Sequence, residues 1–137
     1  MPFNQKSIKF GYTPPLVSVV VVTYNSSKYV IDTLESIKAQ TYHDLEIIVT
    51  DDCSTDDTVE ICRKWLEENK KRFIKTDLIE GERNRGTSVN GNKGAKLTNG
   101  QWIKFIGGDD LLAKNYFETL LLYVSQEKCK INVLCSN

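Results

Sequence analysis

The 137-residue chain carries 18 basic and 18 acidic side chains, with 40% hydrophobic and 26% charged residues. That composition is ordinary for one globular domain with a core, and its charge balance creates no global field to draw nucleic acid or an anionic membrane. The longest apolar run, LVSVVVV with its serine allowed, is far shorter than a bilayer span, and no apolar stretch with a small-residue cleavage site marks a secretory signal.

Residues 1–15 read as a lead-in, ending at Pro14-Pro15, a pair excluded from helix interiors and central strands. LVSVVVVTYN is β-branched and almost continuously apolar, as a strand buried on both faces must be. Asn25, Ser26 and Ser27 offer caps for a helix whose apolar stripe is Val30, Leu34 and Ile37. DLEIIVTDD is a second buried strand. STDDTVEICRKWLEEN opens like a capping box at Ser54 and Asp57, and Val59, Cys62, Trp65 and Leu66 supply its apolar face. RFIKTDLIE is a weaker strand suited to a sheet edge. A polar, glycine-rich stretch follows, with a short helix expected over 88–97. QWIKFIGG is a fourth strand of the buried type, AKNYFETLLLYVSQEK an amphipathic helix, and INVLCSN a fifth strand. Strict alternation of strand and helix implies an α/β fold, a mostly parallel sheet with helices on both faces. Ending on a bare strand makes the chain read as truncated.

In such a sheet, ligands bind beyond the carboxyl ends of the strands. Three polar clusters fall there: Thr23, Tyr24 and Asn25; Asp51 and Asp52; Asp109 and Asp110. Two ionised carboxylates about 4 Å apart repel by roughly 4 kcal/mol at an effective dielectric near 20. The Asp109–Asp110 pair therefore suits a hard cation, Mg²⁺ or Mn²⁺, held by one or two carboxylates and completed by substrate phosphates and water; alternatively Asp110 caps the helix that follows. Asp56 and Asp57 are explained by the helix macrodipole. Asn84, Arg85, Ser88, Asn90 and Lys93 are potential phosphate donors or simply a solvated loop. Gly86 and Gly91 have the spacing of a Walker loop, but Asn92 stands where its lysine belongs. His43 reads as a loop residue, and Trp65 and Trp102 as core. Cysteines 53, 62, 129 and 135 lack any CxxC spacing, so free thiols in a reducing compartment are expected.

The stretch VSVVVVTYNSSKYVIDTLESIKAQTYHDLEIIVTDDCSTDDT, followed by NRGTSVNGNKGAKLTNGQWIKFIGGDD, resembles family 2 glycosyltransferases of the Rossmann-like GT-A fold. The resemblance covers residues 16–137 and implies the nucleotide-sugar-binding half of the domain. It implies a metal-dependent, inverting transfer from a nucleotide-sugar, a UDP-sugar first, to a glycan or glycoconjugate acceptor, in polysaccharide or glycoconjugate assembly. It implies that Tyr24, within the TYN signature, packs near the base, that Asp52 recognises the uracil with Asp51 beside it, and that Asp109 is the last acid of the D-x-D motif, binding Mn²⁺ or Mg²⁺, with Asp110 in support. Two positions depart from the pattern. Gly107 replaces the first acid of D-x-D, and Asn90-Gly91 replace an alanine-arginine pair, removing a basic contact. No residue is nominated as general base, because the family's base lies in the part of the domain beyond this chain. The expected location is the cytoplasm, with a peripheral position at the membrane allowed. A non-catalytic module that keeps the fold is the alternative. A phosphoacceptor receiver is rejected, since its acid pair follows strand one and a lysine follows strand five.

Overall fold

The computed structural model describes residues 14–126. Its elements are β1 (Val17–Thr23), α1 (Val30–Lys38), β2 (Leu45–Asp51), α2 (Thr58–Asn69), a 3-10 turn (Lys70–Arg72), β3 (Thr76–Glu80), α3 (Thr87–Ala95), β4 (Trp102–Gly107) and α4 (Tyr116–Gln126). The strands make one four-stranded sheet in the order β3-β2-β1-β4, and each pairing is parallel. The chain winds outward from β1 to β3 and then returns to the other side of β1. That reversal opens a crevice between the carboxyl ends of β1 and β4, where ligands bind in sheets of this kind.

Side-chain alternation along the strands assigns the two faces. Val17, Val19, Val21, Leu45, Ile47 and Val49 join Val30, Leu34 and Ile37 of α1, Cys62, Trp65 and Leu66 of α2, and Phe117 and Leu121 of α4 in one buried cluster. Each such aliphatic side chain contributes about 1.5–3 kcal/mol. The opposite face is covered by α3, which lies very close to the sheet. A methyl group on Gly94 would sit 2.5 Å from Val20 Cγ1 and 3.1 Å from Thr50 Cγ2, whereas one on Gly91 meets nothing nearer than Phe105 Cε1 at 3.6 Å. The two glycines therefore respond oppositely to alanine. Helix propensity favours alanine by up to about 1 kcal/mol at both positions. At Gly94 overpacking of about 1–3 kcal/mol outweighs it, because Val20 and Thr50 are fully buried. Gly91→Ala raises the melting temperature and Gly94→Ala lowers it, as two thermal scans check.

Arg72 organises the end of the sheet opposite the crevice. Its guanidinium donates to the carbonyls of Lys38 (3.0 Å), Gln40 (3.1 Å), Tyr42 (2.9 Å) and His43 (3.2 Å). It thereby satisfies carbonyls at the end of α1 and in the loop that leads into β2.

Four local expectations are corrected. β4 is an edge of the described sheet, so Ile103 and Phe105 are exposed rather than buried on both faces. Residues 25–27 do not cap α1, which starts at Val30 after Tyr29 with no side-chain cap. Ser54 does not cap α2: it turns back, and both its N–H (2.7 Å) and its hydroxyl (2.6 Å) donate to Asp51. Asp56 does more than complement the α2 dipole, accepting from the N–H of Thr58 (3.0 Å) and of Ser27 (3.1 Å), which ties the β1–α1 loop to α2. β3 is an edge strand, as expected. The fifth strand expected over 131–137, and Cys129 and Cys135, lie outside the described residues. Cys62 is buried and free, and Cys53 is half-buried and free. Burial, with the charges of Asp51 and Asp56 adding to it, pushes the Cys62 thiol up to about 12, so it stays unreactive.

Candidate nucleotide-sugar site

The crevice is a cavity of about 640 Å³ lined by Thr23, Tyr24 and Ser26 after β1, Asp52 after β2, Thr87 and Asn90 of α3, and the segment Gly107–Leu112 after β4. Five of the seven expected site residues line it: Thr23, Tyr24, Asp52, Asp109 and Asp110. Tyr24 is 48% exposed, so its ring is available as a stacking surface.

Asp51 and Asn25 are turned to other work. Asp51 is buried and accepts from the Thr23 hydroxyl (2.7 Å) as well as from Ser54, so it braces the wall from behind. Asn25 accepts from the N–H of Thr55 at 2.8 Å, and its own N–H donates to Ser54 Oγ at 2.8 Å. Its φ is 48° and that of Cys53 is 63°. Two left-handed non-glycine residues on adjacent loops mark a rim held in a sparsely populated backbone conformation.

Asp52 is only 3% exposed, and its charge is met by two backbone donors, the N–H groups of Arg85 and Gly86, each at 2.8 Å. Each oxygen retains acceptor capacity toward the cavity. Asp109 and Asp110 are exposed and curl over the same point. A methyl group on Gly107 would lie 3.0 Å from Asp109 Oδ1 and 3.0 Å from Asp110 Oδ2. Asp110 Oδ2 also accepts from the Gly107 N–H at 3.3 Å, so it folds back on β4 instead of capping α4. Among the described residues no group of three or more His, Cys, Asp or Glu side chains gathers as a metal cage. Two convergent exposed carboxylates are instead the donor set that Mg²⁺ or Mn²⁺ accepts when phosphates and water fill the remaining positions.

Of the expected phosphate donors, Asn90 lines the cavity, and Asn84, Arg85, Ser88 and Lys93 do not. Thr87, Lys104 and Tyr116 also line it and went unnoticed in the sequence. Thr87 was legible in principle, as the first helical residue after a glycine facing the strand ends. Lys104 lies over the Tyr116 ring at 4.9 Å, a contact that only the packing of α4 against β4 creates. No described helix is long and apolar enough to cross a membrane.

The chain is 34% identical over 117 residues to glycosyltransferase GlyG of Streptococcus pneumoniae, covering 85% of this chain and 37% of that protein. Its structure superposes on the crystal structure of S. aureus TarS 1–349 in complex with UDP with a TM-score of 0.72 and 29% identity, over 81% of this chain and 32% of that one. Against the mannosyltransferase PcManGT from Pyrobaculum calidifontis, in complex with GDP-Man and Mn²⁺, the TM-score is 0.70 at 30% identity, over 81% and 32%. The chain thus spans about a third of the length of each of these three proteins, and the GT-A expectation is borne out. The sequence matches the family described as "Glycosyl transferase family 2" over residues 18–136, and the chain belongs to that family.

Proposed function

We propose that this chain forms the donor half-site of a glycosyltransferase that moves a sugar from a nucleotide-sugar, a UDP-sugar in the first instance, to a glycan or glycoconjugate acceptor in the cytoplasm, with inversion at the anomeric carbon. The observation that carries the reading is the convergence of an exposed aromatic (Tyr24), a buried acid held by two backbone N–H groups (Asp52) and a curled acid pair (Asp109, Asp110) on one crevice of a family 2 fold. In this reading Tyr24 packs on the base, Asp52 accepts from its N–H edge, and Thr23, Asn25 and Asp51 hold that wall in place. Asp109, supported by Asp110, holds a divalent cation. When bound, that ion supplies positive charge to the departing diphosphate. The chain's own acids fix where the ion sits, and Tyr24 and Asp52 fix where the nucleotide ends. Binding of UDP and UDP-GlcNAc by TarS, and of GDP-Man with Mn²⁺ by PcManGT, supports the donor class.

The test is the melting temperature of the chain with UDP, GDP, dTDP and ADP, each with Mn²⁺ and with EDTA. A ligand at about 100 times its dissociation constant adds roughly 2.7 kcal/mol, several degrees for a domain of this size. The expected result is a metal-dependent shift largest with UDP and no sugar transfer by the chain alone. A chain indifferent to all four nucleotides belongs instead to a fold retained for another purpose.

A further inference from the structure

Below the crevice, hydrogen bonds close into a ring. The N–H of Asp52 donates to the Thr23 carbonyl at 3.0 Å, and the Asp52 carboxylate accepts from the N–H groups of Arg85 and Gly86. The Gly86 N–H is shared with Asn84 Oδ1 at 3.1 Å. The Gly86 carbonyl accepts the N–H of Asn90 at 3.0 Å. The Asn90 side-chain amide then donates to the Thr50 carbonyl at 2.8 Å and, at 3.4 Å, to the Thr23 carbonyl where the ring began. Thr50 Oγ1 closes the remaining valence by donating to Asn90 Oδ1 at 2.6 Å.

We propose that Asn90 is a positioning residue for the donor half-site, fixing Asp52 and the first turn of α3 against the ends of β1 and β2. The proposal rests on the nucleotide-binding reading of the crevice. Asn90 is fully buried, so its amide is committed to these partners and not to solvent. It is the one side chain in the ring that touches both β1 and β2 from α3, and only an amide can donate to two carbonyls while accepting from a hydroxyl. The close approach of α3 at Gly94, where a methyl group would lie 2.5 Å from Val20 Cγ1, gives the helix no slack to find other partners. An apolar residue at position 90 removes the side-chain bonds to both strands and leaves only the longer bond from Thr50 Oγ1 to the Asn90 carbonyl (3.2 Å) beside the packing, so the turn at Arg85–Gly86 is held less firmly at that end. Asp52 faces the ligand with an orientation set by that turn, so loosening the turn costs ligand affinity as well as stability.

Two readouts in Asn90→Ala separate positioning from plain structural support. The first needs no ligand. Hydrogen exchange of the Arg85 and Gly86 amides accelerates about tenfold at low temperature while β1 and β2 amides stay protected. The second is calorimetry with UDP and Mn²⁺ on fully folded protein. The dissociation constant rises about tenfold in Asn90→Ala, and the Asn90→Ala/Asp52→Asn double variant is no weaker than the worse single one, since either change opens the same ring. Should Asn90→Ala not fold, Asn90→Ser is held to the same two readings. Unchanged exchange at Arg85 and Gly86, wild-type affinity in a folded variant, or additive losses in the double variant each overturn the proposal and leave the donor half-site intact. Wild-type protein that binds no nucleotide overturns the proposal and the half-site together.

Discussion

Replacing Glu46 with alanine lowers the melting temperature by about 10 °C, which corresponds to roughly 3 kcal/mol in a domain of this size. Glu46, the second residue of β2, is 1% exposed on the strand's α3-facing side. Its Oε1 accepts from Ser18 Oγ and from the N–H of Asn99, each at 2.6 Å, and its Oε2 accepts from Asn99 Nδ2 at 3.2 Å. Ser18 Oγ in turn accepts from the Gly100 N–H at 2.9 Å. One carboxylate thus clamps the tight turn between α3 and β4 to the two central strands, and it sets the register that delivers Gly107–Asp110 to the crevice. Truncation leaves buried donors unmet, whereas Glu46→Gln keeps the shape but forces an amide N–H against a donor, for a loss of about half that size. Burial acts to raise the Glu46 pKa, but the hydrogen bonds from Ser18 and Asn99 and the charge of Lys75 outweigh it and hold the carboxyl below its usual range. The unfolded chain therefore takes up this proton first on acidification. The clamp's contribution is complete above the ordinary glutamate range near pH 4.5 and is lost as pH falls through the lower folded value. Thermal scans between pH 7 and pH 3 should show the wild type losing stability faster than Glu46→Gln. Parallel curves would mean that folding leaves the Glu46 pKa where it stands in the unfolded chain, so that the clamp adds no pH-dependent stability.

The contrast between Glu46 and its neighbours shows what the sequence could and could not reveal. Apolar continuity in LVSVVVV and in LEIIV announces central strands, because only strands covered on both faces need it, and Glu46 inside the second run is the single discordant letter. Its partner Asn99 is 53 residues away, and no local pattern encodes so distant a pairing. The strand-end acids were legible for a simple reason: a parallel sheet brings all carboxyl ends of its strands to one rim, so Asp52 and Asp109 line one crevice although they stand 57 positions apart. Which oxygen faces the crevice was not legible. Asp51 and Asp52 are adjacent in sequence, and the residue that lines the cavity is decided by Thr23 and Ser54 capturing the first and the Arg85–Gly86 turn capturing the second. β4 has the composition of a buried strand, whereas its place at the edge of the described sheet follows from the order of the strands, which hydrophobicity does not record.

Placing an acid at position 107 makes the chain less stable without metal and more responsive to it. Gly107 has no positive φ, so aspartate fits its backbone, and the atoms its Cβ meets first, 3.0 Å away, are the ends of the flexible Asp109 and Asp110 side chains. Sterically the change is mild; electrostatically it is not. A third carboxylate joins two that already converge, and at exposed positions the screened repulsion comes to about 1 kcal/mol in total. In EDTA, Gly107→Asp melts a few degrees below the wild type. Mn²⁺ recovers the loss, because the same three charges that repel one another attract the ion. With UDP added, the metal-dependent gain exceeds that of the wild type, whereas Asp109→Ala shows no metal-dependent gain at all, a deficit of about 2.7 kcal/mol at saturating nucleotide. High salt discriminates further: screening raises the Gly107→Asp melting temperature in EDTA and leaves Asp109→Ala unmoved. If Gly107→Asp melts at the same temperature in EDTA and in Mn²⁺, the acid pair does not hold a cation, and the curl of Asp109 and Asp110 over Gly107 reflects only the turn that ends β4.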